Sequence, residues 1–231
     1  MISTLLDWLL PGRCVLCHQQ SQNAHQSICQ ICLTDITHRM LPLEQNLLAL
    51  PEIRRDLTIK HLDYLVSLAH YQWPFDHWIT RLKFHRNHLF GHLTGQLLAK
   101  RIDIIHHQHS YPLPNLIIPL PLHQTRSLVR GYNQAEVIAR QLSALLDIPM
   151  DNSVLVRSKS TSAQTLLTAA QRRRNVKNAF KLTGQLRQYR HIALVDDVIT
   201  TGSTIEAACR VLRKEGVKHI SVWTVCITPK S

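Results

Sequence analysis

The chain has 231 residues and a mass of 26.6 kDa, with 45% hydrophobic and 18% charged residues and no single-residue tract, which excludes a disordered chain and a large multidomain machine. One moderate domain with a small module fits that length. Against 15 Asp and Glu stand 27 Lys and Arg, a net +12, and +9 of it falls in residues 126–190, which suits a polyanionic partner such as a phosphorylated metabolite or nucleic acid; a solvated basic surface is the plain alternative.

At the N-terminus, Leu5, Leu6, Leu9 and Leu10 surround Asp7. No run approaches the ~20 apolar residues that cross a bilayer, so no membrane span is expected. A short amphipathic helix is expected instead of a secretory signal, because no basic leader precedes the apolar stretch. Leu9-Leu10 ahead of Cys14 invites a lipoprotein reading, but Arg13 breaks the small-residue cleavage pattern, and cytoplasmic residence is expected.

Four of the six cysteines come next, as Cys14-Val15-Leu16-Cys17 and Cys29-Gln30-Ile31-Cys32. A two-residue spacing lets both sulfurs of a turn reach one ion, and in a reducing compartment two such turns point to a tetrahedral zinc with four thiolate ligands. The polar stretch Gln19 to Asn23 cannot build a core, so metal would supply much of this module's folding free energy. His18 and His25 are the alternative ligands. A closed four-cysteine site leaves no open position and reads as a scaffold. Cys209 and Cys226 fall in helix and strand patterns and read as buried thiols.

The body alternates strands and helices. Residues 62–71 alternate as a strand, 76–85 and 87–105 read as helices, and 111–114 is a proline-rich break before an apolar strand at 116–120. Ala135, Ile138, Ala139, Leu142, Leu145 and Leu146 keep one helix face, and Pro149 follows it. A strand fits 154–157, and the basic stretch 158–179 suits a loop or exposed helix. Ile192 to Val195 reads as a strand turning at Asp196-Asp197, followed by a helix from Thr204 to Glu215 capped by Gly216, and a strand at 220–227. The expected fold is α/β with a largely parallel sheet flanked by helices. His106, His107 and His109 lack carboxylate or cysteine partners at ligand spacing and read as loop or surface residues.

In such a sheet, ligands bind where strands end and helices begin. Val195-Asp196-Asp197-Val198-Ile199-Thr200-Thr201-Gly202-Ser203-Thr204 sits at such a point. Gly202 lets backbone approach a phosphate, while Thr200, Thr201, Ser203 and Thr204 bring hydroxyls and amides to a helix N-terminus that favours an anion. Asp196 and Asp197 offer acceptors for vicinal ribose hydroxyls, so the turn is expected to take a ribose 5-phosphate.

The segment Asp196 to Thr204 resembles the phosphoribosyl-pyrophosphate (PRPP) loop of type I phosphoribosyltransferases. Around it, Ile118-Pro119-Leu120-Pro121-Leu122-His123, Arg130-Gly131-Tyr132-Asn133-Gln134-Ala135-Glu136 and Gln171-Arg172-Arg173-Arg174-Asn175-Val176-Lys177-Asn178-Ala179-Phe180 resemble the ComF family, also called ComFC or GntX-like. The likeness spans nearly the whole chain, including the four-cysteine module. It implies an N-terminal helix and zinc-binding module over 1–45 and a phosphoribosyltransferase-like domain over 46–231, in a family associated with natural competence and DNA uptake. Carried over by position, Asp196 and Asp197 would hold ribose hydroxyls with Mg²⁺ nearby, Thr200, Thr201, Gly202, Ser203 and Thr204 would cradle the 5-phosphate, and Pro121-Leu122-His123 would form the pyrophosphate loop. Residues 158–164 would close over bound PRPP, with Arg157 and Lys159 meeting the pyrophosphate. The amidophosphoribosyltransferases use an N-terminal cysteine to release ammonia from glutamine; the first cysteine here belongs to the zinc set, and glutamine hydrolysis is not expected.

The leading expectation is a competence protein that binds PRPP and single-stranded DNA and works with other uptake proteins, such as a helicase and a DNA-processing protein. Arg126, Arg130, Arg172, Arg173, Arg174 and Lys177 would contact DNA phosphates. Two alternatives are an active phosphoribosyltransferase on a small base or amine, with Asp196 and Asp197 as its catalytic pair, and a regulator that senses PRPP without turnover. No base-selecting hood is recognisable in the sequence.

Overall fold

The computed structural model describes residues 12–20, 27–57, 59–85, 87–122, 131–157 and 179–228. Two compact units divide the chain, Met1–Met40 and Leu41–Ser231. In the first, Arg13 bridges Gln20 to close a small hairpin around Cys14 and Cys17, and α1 (Gln30–His38) follows with Cys29 as its N-cap.

The second unit begins with a 3₁₀ turn at Leu47–Ala49 and α2 (Pro51–Asp56), then β1 (Tyr64–His70), α3 (Phe75–Phe84) and α4 (His88–His109). There follow β2 (Leu116–Pro119), α5 (Gln134–Leu146), β3 (Leu155–Arg157), β4 (Phe180–Leu182), β5 (His191–Ile199), α6 (Ser203–Lys214) and β6 (His219–Ile227). The main sheet is parallel, in the order β1-β6-β5-β2. Its strands read as continuous apolar runs because helices and loops cover both faces.

On one face, Leu65, Ile118, Ile192, Leu194, Ile220 and Val222 form a core with Ile205, Ala208 and Leu212 of α6 and with Leu47, Ile53 and Leu57. α4 and α5 pack against the sheet and each other. Their approach is close: a Cβ at Gly91 would lie 2.6 Å from Val137 Cγ1, and one at Gly95 would lie 2.7 Å from Gln141 Cβ.

Most expected elements appear within a residue or two, and three differ. α4 runs to His109, so His106 and His107 end a helix; there His106 Nδ1 meets the Tyr111 carbonyl at 2.6 Å. β5 continues through Asp196 and Asp197 to Ile199, because Asp196, Val198 and Ile199 keep their register with Thr224, Cys226 and Ile227 of β6. The acidic pair therefore lies on the strand, and the turn begins after Ile199. β3 does not join the main sheet; it pairs antiparallel with β4, a three-residue strand too short to show alternation. Cys209 and Cys226 are fully buried, as expected. Residues 1–11, with the amphipathic leucines, and 158–178, with the basic stretch, lie outside the described residues. No helix among the described residues is long and apolar enough to cross a membrane.

Candidate functional site

At the carboxyl end of β5 the chain turns through Thr200 to Gly202 into α6. Gly202 has φ +74°, and an added Cβ would lie 2.5 Å from Ile59 Cγ1, so both conformation and space call for glycine. Glu206 N–H donates to the Gly202 carbonyl at 2.8 Å and starts the helix. Thr201 Oγ1 and Ser203 Oγ meet at 2.9 Å. Thr200 to Ile205 line a small cup of about 40 Å³ together with Asp196, Val198 and Ile199. The first-turn amides of a helix have no backbone partner within it and carry the positive end of its dipole, a setting that favours negative charge.

A second segment braces the turn. Glu206 Oε2 accepts the backbone N–H of Lys60 at 2.8 Å and of His61 at 3.3 Å, and Glu206 Oε1 lies 2.7 Å from His61 Nδ1. Burial raises the Glu206 carboxyl, but these donors outweigh it and hold the group below the usual carboxylate range. Ile59 is thereby held over Gly202.

Beside the cup lies a cavity of about 320 Å³ that shares Asp196, Val198, Thr200 and Thr204 with it. Leu120, Pro121 and Leu122, after β2, form one wall. Asn133, the N-cap of α5, forms another with Gln134 and Ala135: its side chain accepts from Ala135 N–H at 3.2 Å and donates to the Leu120 carbonyl at 3.0 Å, tying two walls together. Tyr71, Lys83, Arg157 and Thr228 complete the lining.

Asp197, 8% exposed, meets Lys83 of α3, with Asp197 Oδ2 and Lys83 Nζ 2.8 Å apart. Asp197 Oδ1 accepts from Val198 N–H, and Asp196 Oδ1 from Asp197 N–H, each at 2.9 Å. Burial, then the neighbouring Asp197 charge, pushes the Asp196 carboxyl up to about 8. One acid is thus held toward its neutral form beside an ion-paired neighbour. Asp197 Oδ1 takes a backbone amide and Oδ2 lies against the Lys83 ammonium, so a divalent ion bound directly at Oδ2 would have to displace that ammonium.

Of the residues expected from sequence, Asp196, Asp197, Thr200, Thr204 and Leu122 border the cavity, and Thr201, Gly202 and Ser203 line the cup. His123, Arg126, Arg130, Lys159, Arg172, Arg173, Arg174 and Lys177 lie outside the described residues. Lys83, Tyr71, Gln134 and Thr228 line the cavity without having been singled out. Asn133 carried a legible signal as a helix N-cap; Lys83 looks like any surface lysine on an amphipathic helix.

In the first unit, the four sulfurs of Cys14, Cys17, Cys29 and Cys32 lie within 4.8 Å of one another, and the Cys17 and Cys29 sulfurs are 3.7 Å apart. A tetrahedron of sulfurs about 2.3 Å from a zinc ion has edges of about 3.8 Å, so the set fits a metal such as zinc. The crowded sulfurs titrate apart: burial raises the Cys14 thiol but the amides of Cys17, Cys29 and Leu16 outweigh it and bring it down to about 6, while burial and the neighbouring sulfurs push the Cys32 thiol up. Among the described residues this is the one such cluster; His18 is not part of it, and His25 lies outside the described residues.

Residues 129–231 match the model of the phosphoribosyl transferase domain. Over 163 residues the chain is 43% identical to "Competence protein F" of Haemophilus influenzae, covering 70% of this chain and 71% of that one. The chain belongs to the ComF family. A "DNA utilization protein YhgH" of Escherichia coli O157:H7 is 34% identical over 235 residues, covering 95% of this chain and 98% of that protein. Among solved structures, a purine phosphoribosyltransferase from Pyrococcus horikoshii aligns with TM-score 0.34 and 18% identity over 58% of this chain and 80% of that one. This ComF-family protein therefore joins a phosphoribosyltransferase domain, built on a parallel sheet flanked by helices, to four N-terminal cysteines placed for a metal.

Proposed function

We propose that the protein is a cytoplasmic DNA-uptake factor whose cleft binds PRPP and whose basic segment engages incoming single-stranded DNA alongside a helicase and a DNA-processing protein. The observation that carries the PRPP reading is the continuity of an anion cup at the α6 N-terminus with a cavity bordered by Asp196 and Asp197. A 5-phosphate in the cup would leave the ribose hydroxyls to the carboxyls, with the diphosphate toward Leu120 to Leu122 and Arg157. Mg²⁺ would travel on the diphosphate. Zinc would be held by Cys14, Cys17, Cys29 and Cys32 as a structural ion, and the domain division would follow 1–45 and 46–231. The DNA reading is supported by the relatives named for competence and DNA utilization and by the +9 segment that holds Arg126, Arg130, Arg172, Arg173, Arg174 and Lys177.

Calorimetric titration with PRPP, paired with single-stranded DNA binding, tests both halves on wild type and the Asp196→Ala/Asp197→Ala double variant. PRPP binding should vanish in the variant while DNA binding persists; unchanged PRPP affinity would refute the cleft reading. One observation favours a second reading, transfer to a base or amine: the raised Asp196 carboxyl can exchange a proton near neutral pH. Pyrophosphate release from PRPP in the presence of nucleobases and amines tests it.

A further inference from the structure

Lys83 reaches the cleft from α3, outside residues 129–231 that match the phosphoribosyl transferase domain. Its side chain is 22% exposed and that of Asp197 is 11% exposed, at a contact of 2.8 Å. Lysine is rarely this enclosed without a charge partner. The same cavity is bordered by Asp196 and by Arg157, which is 9% exposed.

A cation already lies against the acidic pair. Asp197 Oδ2 is in contact with the Lys83 ammonium, and Asp197 Oδ1 is occupied by the Val198 amide. A lysine head carries three donors on a flexible four-carbon stem, so the ammonium can stay against Asp197 and reorient toward a bound anion without backbone movement. A divalent ion at this carboxylate would have to displace that ammonium.

We propose that Lys83 is the resident cation of the cleft: it balances Asp197 and contacts the diphosphate of the bound sugar, so that PRPP is held without a divalent ion on the protein. This deepens the PRPP reading and rests on it. The residue is a binding residue supplied by the front half of the domain, and it makes Mg²⁺ dispensable for affinity.

The test is calorimetric titration of the full-length wild type, Lys83→Met and Lys83→Arg with PRPP, in EDTA and in excess Mg²⁺, with ribose 5-phosphate titrated into the wild type as a second probe. Wild-type PRPP affinity should change less than about threefold between the buffers. Lys83→Met should lose about tenfold or more in EDTA, ~1.4 kcal/mol or more, and regain most of it with Mg²⁺. Lys83→Arg should behave as the wild type does. If ribose 5-phosphate binds the wild type but PRPP binding disappears in EDTA, or if Lys83→Met matches the wild type in EDTA, the role of Lys83 is overturned and the cleft reading stands. If neither probe binds the wild type in either buffer, both fall. Should Lys83→Met fail to fold, the wild-type EDTA titration and Lys83→Arg decide.

Discussion

Gly202→Ala isolates the turn on which the cup depends. Gly202 sits at φ +74°, where a side chain costs about 1–2 kcal/mol. Its new Cβ would lie 2.5 Å from Ile59 Cγ1, and forcing an extra carbon into packed space costs about 1–3 kcal/mol. Ile59 yields poorly because Lys60 and His61 beside it are bonded to Glu206. The sum, about 2–5 kcal/mol, corresponds in a chain of this size to a fall in melting temperature of roughly 4–20 °C. Gly216→Ala is the internal control: Gly216 has φ +90° but nothing within 4 Å of a Cβ, so it should show only the backbone cost. Differential scanning calorimetry of the two variants measures the difference. A Gly202→Ala loss no greater than that of Gly216→Ala would refute the packing of Ile59 over the turn.

Gly95→Ala should destabilise by about 1–3 kcal/mol in denaturant titration, since its Cβ would lie 2.7 Å from Gln141 Cβ across the α4–α5 contact. The Asp196 carboxyl, raised to about 8 from an ordinary value near 3.8, binds a proton in the folded state that the unfolded chain has released. Its contribution is therefore fully present below about pH 4 and is lost as pH rises through 8, with a slope of at most ~1.4 kcal/mol per pH unit; Asp196→Asn should flatten that part of the stability curve. Purified protein should carry one zinc per chain by elemental analysis, and Cys17→Ser should lose it, with proteolysis then opening residues 12–40. Replacing Arg172, Arg173 and Arg174 by Gln should reduce the slope of log affinity for single-stranded DNA against log salt by about 2.

Periodicity and punctuation made the alternation of strands and helices legible, because the main strands are buried on both faces and read as unbroken apolar runs. The turn at Thr200 to Thr204 was legible because Gly202 and its hydroxyl neighbours are a local pattern. The length of β5 was not: Asp196 and Asp197 look like a turn until their pairing with β6 is seen, and that pairing is set by residues about 30 positions away. Lys83 was invisible for the same kind of reason. Its meaning comes from a contact with Asp197, 114 residues further along the chain, and no local signal separates it from a solvated lysine. The pairing of β3 with β4 likewise depends on two three-residue segments that meet only in the folded chain.

The most direct test of the cleft is amide chemical-shift mapping by NMR with ribose 5-phosphate and then PRPP. The account predicts that the amides of Gly202, Ser203 and Thr204 shift first and with both ligands, and that Val198 and Leu122 join them with PRPP. Saturable binding of either ligand that leaves those three amides unmoved would contradict it.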